Sequence, residues 1–357
     1  MVNTADNGST NRYFAASNSG RGFRSYFQEL FFNDKITRRY IIKGGPGTGK
    51  SSFIRKVAAL AEKNGKSVEY YYCSSDPDSL DGAVIDSSIA VLDGTSPHGY
   101  DTVLPGAVDE IINLGEFWNS AELSKHGQKI KVINSRKKKS YDRAYCYLSA
   151  ALAISDALDL LTERCVNYNK LSGAARRMGE RVPCGDGGMI IPAPISAIGM
   201  RGRVRFDTLE RRASRIYVIE DAFGVGKKYL LALASELLLR GCRLRAAYGT
   251  VDTESIEALF VEGSGECFVI GNENDFVGYG DISVINMKRF LDPDRAAQIR
   301  KEYRAGEKCL NALISSAEVA LTEAGKAHFE LEEIYISNMN FDSLSRFSEK
   351  FLKKMII

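Results

Sequence analysis

The stretch YIIKGGPGTGKSSF, residues 40–53, decides the fold of this chain. An apolar run that ends at Lys43 predicts a short β-strand, and the residues from Ser51 to about Asn64 predict a helix. Between them, residues 44–51 satisfy the P-loop pattern G-x-x-x-x-G-K-[ST]. Such a loop directs successive backbone N–H groups into one concavity, where they and the helix N-terminus bind phosphate.

The loop predicts a site for a nucleoside triphosphate, with ATP and Mg²⁺ as the expected ligands. The residues expected to contact the nucleotide are Gly44, Gly45, Pro46, Gly47, Thr48, Gly49, Lys50, Ser51 and Ser52. Lys50 is expected to reach the β- and γ-phosphates, and the Ser51 hydroxyl is expected to bind Mg²⁺. The alternative is a glycine-rich turn of purely structural use.

Two acidic positions are candidates for the rest of the site. Asp93 ends the apolar run at residues 88–92, where a Walker B aspartate would lie, and is expected to hold Mg²⁺ with Ser51. The alternative is an Asp-Gly turn, and Gly94 stands where many ATP-hydrolysing machines have Glu. Asp76, in SSDPDSLDG at residues 74–82, is expected to position water or act as a base, although this segment is also typical of a turn.

Other polar features are weaker candidates. His98 is interpreted either as a base or phosphate sensor or as an ordinary surface-loop histidine. The run RKKK at residues 136–139 is interpreted as a phosphate contact or as a solvated charge run at a helix entrance. The candidates for an arginine finger are Arg21, Arg201, Arg203 and Arg205.

The chain repeats itself at an offset of about 177 residues. YIIKGGPGTGKSSF matches YVIEDAFGVGKKYL at residues 217–230, and the segment 63–80 matches the segment 240–256. The order of strands and helices predicts an α/β protein of two tandem P-loop NTPase-like domains, each a three-layer α/β/α unit with a parallel sheet. The domains are expected to span residues 1–180 and 181–357, with added helices at 141–171 and 294–335.

The second domain is expected to be degenerate. Asp221 stands at the first glycine of the loop, Lys228 at the serine that would bind Mg²⁺, and Gly271 at the aspartate. Gly226 and Lys227 remain. We therefore expect one competent site, with a second half that is structural or regulatory, completes the first site, or holds an anion weakly.

Composition indicates a soluble globular protein, with 44% hydrophobic and 26% charged residues. The net charge of +3 argues neither for a nucleic-acid binder nor for a membrane-surface protein, and neither partner is expected. Residues 1–12 are polar and expected to be loose, no signal segment follows, and no apolar run is long enough for a membrane span. Seven cysteines without a CxxC pair predict reduced thiols and a cytoplasmic location.

Five segments resemble an uncharacterised bacterial family of duplicated, tandem P-loop ATP-binding proteins. They are FAASNSGRGF (14–23), IIKGGPGTGKSS (41–52), YYYCSSDPDSLDG (70–82), IAVLDGTSPHGYD (89–101) and PGAVDEIINLGEFW (105–118). The resemblance covers most of the chain and implies ATP binding and a tandem architecture, but no substrate. Such proteins have an intact second loop, from which this chain departs at Asp221 and Lys228.

Three functions are consistent with these features. The leading one is a Mg²⁺-dependent ATPase or nucleotide-driven switch. The second is a kinase of a small molecule or nucleotide, with Asp76 as base and residues 78–99 as the acceptor pocket. The third is a non-catalytic ATP-binding regulator. The Gly at position 94 weakens the ATPase interpretation, and the duplication weakens the kinase interpretation; an unknown small-molecule or protein partner and the oligomeric state stay open.

Overall fold

The computed structural model describes residues 11–97, 99–185 and 187–355. His98 and most of the N-terminal segment expected to be loose lie outside the described residues. Arg12, at the end of that segment, already belongs to the first strand.

The first half contains eight strands and five α-helices. The strands are β1 (Arg12–Phe14), β2 (Ala16–Ser19), β3 (Gly22–Ser25), β4 (Arg38–Lys43), β5 (Val68–Tyr72), β6 (Leu80–Ile85), β7 (Ile89–Asp93) and β8 (Asp109–Asn113). The helices are α1 (Phe27–Phe31), α2 (Lys50–Lys63), α3 (Ser120–Lys125), α4 (Gly127–Glu163) and α5 (Tyr168–Arg181). A 3₁₀ turn spans Leu114–Phe117.

The second half repeats this order, without a counterpart of α3 among the described residues. Its strands are β9 (Met189–Pro192), β10 (Ser196–Gly199), β11 (Gly202–Arg205), β12 (Arg215–Glu220), β13 (Arg243–Tyr248), β14 (Ile256–Val261), β15 (Glu266–Ile270) and β16 (Asp281–Asn286). Its helices are α6 (Thr208–Arg212), α7 (Val225–Leu239), α8 (Pro293–Ile336) and α9 (Phe341–Lys354). Two 3₁₀ turns span Glu273–Phe276 and Met287–Phe290.

The two halves have the same sheet topology. The first sheet has the strand order β1-β5-β6-β7-β4-β8, and the second has the order β9-β13-β14-β15-β12-β16. Each position in one sheet is filled by the corresponding strand of the repeat. The structure is therefore a mixed α/β protein with two six-stranded sheets, and the internal repeat predicted from sequence is confirmed.

One strand in each sheet departs from the expected parallel arrangement. In the first sheet β6 is antiparallel to both neighbours, whereas the other five strands run in one direction. The connection from β5 to β6 is too short for a parallel crossover, which needs a dozen or more residues. The turn into β7 is a tight hairpin in which Asp86 and Ser87 both have positive φ. Strand β6 was not predicted from the sequence because its first residues belong to the segment 74–82, which was interpreted as a turn.

The two faces of the second sheet pack against different apolar clusters. In β12, Tyr217 and Ile219 face an apolar cluster that includes α7. The alternate residues Ile216 and Val218 belong to a cluster that continues into the first half. The layer between the two sheets, where helices were expected, therefore consists mainly of side chains from both halves in contact with each other. The short helices α1 and α6 contribute apolar residues to it.

Aromatic rings and a buried ion pair join the halves across this shared core. Phe206, from the second half, stacks on Phe14 at a centroid distance of 4.6 Å and lies 5.1 Å from the ring of Tyr72. Arg245 on β13 pairs with Glu69 on β5 at 2.6 Å. The two halves thus share the apolar cluster that lies between their sheets.

The long helices α4 and α8 pack against each other in antiparallel orientation. Arg136, near the start of α4, pairs with Glu330, near the end of α8. Leu158, near the end of α4, packs on Gly306, near the start of α8, where a Cβ would lie 2.6 Å from its side chain. Helix α4 begins well before the predicted residue 141, because the charged run 136–139 is helical and does not precede the helix.

The antiparallel pair carries the last helix of each half onto the other half. Leu171 and Ala175 of α5 pack in the cluster of α7, which belongs to the second half. Phe347 and Phe351 of α9 pack on Phe53 of α2, which belongs to the first half. The boundary predicted at 180/181 falls at the end of α5, so this helix belongs to the first half by sequence and to the second by packing.

Among the described residues, α4 is the one helix long and apolar enough to cross a membrane by length and composition. The core helix of a soluble protein passes the same test, and α4 packs along α8 through Ala144, Leu148 and Ala151. The cytoplasmic location stays a prediction.

Cys184 and Cys242 form a disulfide, with their Cα atoms 4.7 Å apart. The expectation that all thiols are reduced is wrong for this pair. The two cysteines precede the adjacent parallel strands β9 and β13, which brings together residues that are 58 positions apart. Such a spacing gives no motif in the sequence. The other five cysteines are free thiols.

The shared core predicts that a truncation in one half destabilises the other. Phe206→Ala removes a ring that is 4% exposed, and we expect a loss of about 3 kcal/mol in the free energy of unfolding. Urea unfolding followed by circular dichroism measures it, with Phe329→Ala, whose ring is 44% exposed, as the control. A loss of stability no larger than that of the control, or two separate unfolding transitions, would contradict a core shared between the halves.

Candidate functional site

The glycine-rich segment 44–49, called here the first loop, connects β4 to α2 at the carboxyl end of a central strand. β4 lies between β7 and β8 and is parallel to both. Gly47 and Gly49 have φ of 67° and 88°, values that favour glycine because it lacks a Cβ. Pro46 and Gly47 form the turn at the tip of the loop. The α2 N-terminus therefore opens into a curled loop, as predicted.

The loop is held closed by its own side chains. Thr48 is fully buried, and its hydroxyl donates to the Gly45 carbonyl at 2.8 Å. A Cβ at Gly44 would lie 2.6 Å from the Thr48 hydroxyl oxygen, so this close approach requires glycine. The glycine at position 44 and the threonine at position 48 are thus both required by the packing within the loop.

Lys50 and Asp93 meet beside the loop. The Lys50 ammonium donates to the Gly45 carbonyl at 2.7 Å and lies 3.6 Å from an Asp93 carboxylate oxygen. Both side chains are largely shielded from solvent, at 12% and 15% exposed. The other Asp93 oxygen accepts from the Thr95 N–H and hydroxyl. Asp93 therefore forms the turn that its Asp-Gly sequence suggests. It also lies next to Lys50, as a Walker B aspartate would.

Ser51 connects the loop to the acidic segment 74–82. The Leu80 N–H donates to the Ser51 hydroxyl oxygen at 2.9 Å. Asp76 accepts from the Ser79 hydroxyl at 2.7 Å and from the Asp78 N–H at 3.4 Å. Asp76 thus stabilises a turn, which is the second of the two interpretations of its sequence context. Ser52, the residue after Ser51 on α2, is exposed.

The four candidate arginines are each paired with a carboxylate. Arg201, in the turn of the β10–β11 hairpin, pairs with Asp78 of the first half. Arg21, in the equivalent β2–β3 turn, pairs with Asp252 and Glu254 of the second half. Each hairpin thus reaches the acidic turn of the opposite half. Arg203 pairs with Glu318 and Arg205 with Glu210, so neither reaches that turn.

The end of α8 lies on the first loop. A Cβ at Gly45 would lie 2.8 Å from the Tyr335 ring, and a Cβ at Gly47 would lie 2.8 Å from Ile336. The Glu332 carboxylate lies 3.4 Å from the His328 ring, one helical turn earlier on α8. The His328 hydrogen bond, with the Gly47 N–H and the Lys50 charge, lowers the pKa of Glu332.

The sequence analysis did not find this helix end. Glu332 is some 280 positions from the loop and comes from the other half. The one available signal was the repeat itself, which continues past the long helices: an Asn cap at Asn167 begins α5, and an Asn cap at Asn340 begins α9.

The segment 221–226, called the second loop, has a different conformation. Positive φ occurs at Phe223 and Gly224, so helix α7 begins at Val225, earlier than the register of the first loop implies. The cause is Asp221, whose carboxylate accepts from the Gly226 N–H at 2.6 Å and from the Gly224 N–H at 3.0 Å. The loop amides are thus bound by the loop's own side chain.

The lysines of the second loop are also engaged. Lys227 pairs with Asp159, near the end of α4, at 2.5 Å, and Lys228 lies 3.8 Å from the same carboxylate. Strand register places Ile270, not Gly271, at the position equivalent to Asp93, because Ile270 pairs with β12 as Asp93 pairs with β4. The alignment at Gly271 is therefore wrong by one residue, although neither residue offers a carboxylate.

Two oxygen donors near the first loop suit Mg²⁺. The Ser51 hydroxyl and the Asp93 carboxylate are hard oxygen ligands of the kind that Mg²⁺ prefers. No group of three or more acidic, His or Cys ligands occurs in the part of the chain that the structure describes. The set fits Mg²⁺ that keeps waters and takes its remaining ligands from phosphates, and does not fit a cage made of protein alone.

Comparisons with protein-family models, curated proteins and solved structures gave no match. The function of the site is therefore inferred from its residues alone.

The role of Asp221 gives a stability prediction. Asp221→Asn removes the charge that caps the α7 amides, and we expect a loss of about 1 kcal/mol in the free energy of unfolding. Urea unfolding measures it, with Asp156→Asn, at an exposed position on α4, as the control. Equal stability of the two variants would show that the Asp221 bonds do not hold the second loop.

Proposed function

We propose that the first half binds ATP with Mg²⁺ through a P-loop at residues 44–52, and that the protein is an ATPase or nucleotide-driven switch with one competent site. The observation that carries the proposal is the first loop itself. It curls through two left-handed glycines into the N-terminus of a 14-residue helix, beside a shielded lysine. Amides, helix dipole and ammonium together favour a polyphosphate over a simple carboxylate ligand.

The position of the loop supports the same conclusion. It follows the strand β4, whose two neighbours come from later in the chain on opposite sides. Ligands of open α/β sheets bind at the carboxyl ends of strands near such a switch in strand order. We interpret the fold as that of a P-loop domain with an antiparallel strand inserted, and the second half as its degenerate copy.

Each residue near the loop is assigned a role. Lys50 neutralises the β- and γ-phosphates, and the Ser51 hydroxyl and Asp93 hold Mg²⁺ directly or through water. Mg²⁺, when bound, supplies charge stabilisation at the phosphoryl oxygens. Asp76 holds the turn that follows β5, and through Leu80 this turn positions the Ser51 hydroxyl.

The arrangement favours slow turnover. Asp76, the residue expected to position water, already accepts two hydrogen bonds within its turn. No Glu follows Asp93, and the charge of Arg201 is paired with Asp78. Because Asp76 is engaged in its turn and Arg201 in its pair with Asp78, a switch driven by binding and slow hydrolysis fits this arrangement better than a fast ATPase.

The kinase interpretation loses its acceptor pocket. Residues 80–85 form β6, whose six residues are all buried, and residues 89–93 form β7 in the centre of the sheet. About half of the segment 78–99 therefore lies in these two strands and offers little surface to a phosphate acceptor. An acceptor-dependent rise in ADP production would restore the kinase interpretation, whereas tight binding without turnover would favour the non-catalytic regulator.

The central prediction concerns the two loop lysines. Lys50→Ala is expected to abolish Mg-ATP binding, because it removes the cation nearest the phosphates. Lys227→Ala, the matched change in the second loop, is expected to leave binding intact because Lys227 is held by Asp159. Titration calorimetry with Mg-ATP and a non-hydrolysable analogue, with ADP release followed in parallel, measures both. Undiminished binding in Lys50→Ala would refute the assignment.

Removal of the metal gives a second test. Chelation of Mg²⁺ by EDTA is expected to weaken ATP binding at least ~10-fold, because the protein donors require phosphate oxygens to complete the coordination. The measurement is the same titration with and without excess EDTA, and ADP serves as the comparison ligand. Equal affinity in both buffers would mean that Ser51 and Asp93 hold no metal.

A further inference from the structure

The last turns of α8 lie where a phosphate would have to bind. Tyr335 covers Gly45, and Ile336 covers Gly47. The Glu332 backbone is equally close, because a Cβ on Gly47 would lie 3.0 Å from its carbonyl oxygen. The helix end thus contacts the loop at the glycines that turn its amides inward.

The Glu332 carboxylate has the surroundings of a bound anion. The His328 ring lies 3.4 Å away, and the Gly47 N–H and the Lys50 charge act on the same carboxylate. Burial lowers the pKa of Lys137 on α4, the charge of Glu332 opposes this effect and the charge of Lys50 adds to it. The Glu332 carboxylate therefore contacts a histidine, and the Gly47 N–H and the charge of Lys50 help to lower its pKa.

The second half has a carboxylate at the equivalent helix position. Glu332 lies four residues before the end of α8 at Ile336, and Asp159 lies four residues before the end of α4 at Glu163. Asp159 contacts Lys227, the counterpart of Lys50, at 2.5 Å. Both loops are thus met by an acidic side chain from a long helix of the opposite half.

We propose that Glu332 is a built-in competitor of nucleotide, and that its carboxylate occupies the position that a phosphate of the nucleotide takes when bound. The proposal deepens the assignment of the first loop and rests on it. The phosphates, with a higher charge than one carboxylate, displace Glu332 from Gly47 and Lys50. The released side chain stays paired with His328, its neighbour one helical turn away.

This competition couples the nucleotide to the helix pair. A ligand that displaces Glu332 breaks the contact between α8 and the first loop, so the affinity for nucleotide depends on how firmly α8 is held there. In the second half Asp221 already binds the loop amides, so the corresponding exchange is blocked. The first loop alone has a carboxylate that a ligand is able to replace without breaking the loop.

The test is a titration of wild type, Glu332→Gln and Glu332→Ala with a non-hydrolysable Mg-ATP analogue. Both variants remove the competing charge, and Glu332→Gln keeps the side-chain volume. We expect about tenfold tighter binding in each, within the range typical of coupled sites. Glu333→Gln is the matched control, since Glu333 is the next residue on α8 and is exposed. Its affinity is expected to equal that of wild type.

The outcomes separate this inference from the proposed function. Wild-type binding with equal or weaker binding in both Glu332 variants would overturn the competitor and leave the nucleotide site standing. Binding in neither wild type nor variants would refute the nucleotide site, and the competitor with it. A Lys50→Ala/Glu332→Ala double variant is expected to bind no better than Lys50→Ala alone, and binding restored by the second change would show that Glu332 does not compete for the site that Lys50 serves.

Discussion

The antiparallel packing of α4 on α8 is the contact on which the rest of the structure depends. A helix of 37 residues spans about 55 Å, so each long helix starts beside its own loop and ends at the loop of the other half. Because the chain turns back only after that distance, α5 and α9 are delivered to the opposite half. The shared apolar cluster between the sheets then follows from the same geometry.

The two loops show how small changes in charge decide what such a scaffold is able to bind. Both present helix N-terminal amides and a lysine. In the second loop a carboxylate within the loop takes the amides, and a carboxylate from α4 takes the lysine, so all the positive groups are satisfied inside the protein. In the first loop Gly44 stands at the position of Asp221, so no carboxylate follows the strand there, and the Gly47 N–H instead helps to lower the pKa of Glu332, which comes from outside the loop.

Sequence reasoning succeeded where the information was local. The strand before the first loop, the helix after it and the repeat could be predicted because the periodicity and the glycine pattern lie within short windows. It failed where the contact is distant: the Cys184–Cys242 pair, the hairpins that place Arg201 on Asp78, and the end of α8 all join segments far apart in the chain. Strand β6 was not predicted for a different reason: it is short, and its first residues belong to a segment rich in turn-forming residues.

The exchange of α5 and α9 has the form of a domain-swapped homodimer in which the two subunits have been joined end to end. In a homodimer, every mutation would alter both loops at once, and a carboxylate at position 221 would have stood in each of them. Covalent fusion removes that constraint. One copy is free to change its loop and keep its shape, and it stays beside the other as a permanent, stoichiometric partner that never has to be found by diffusion.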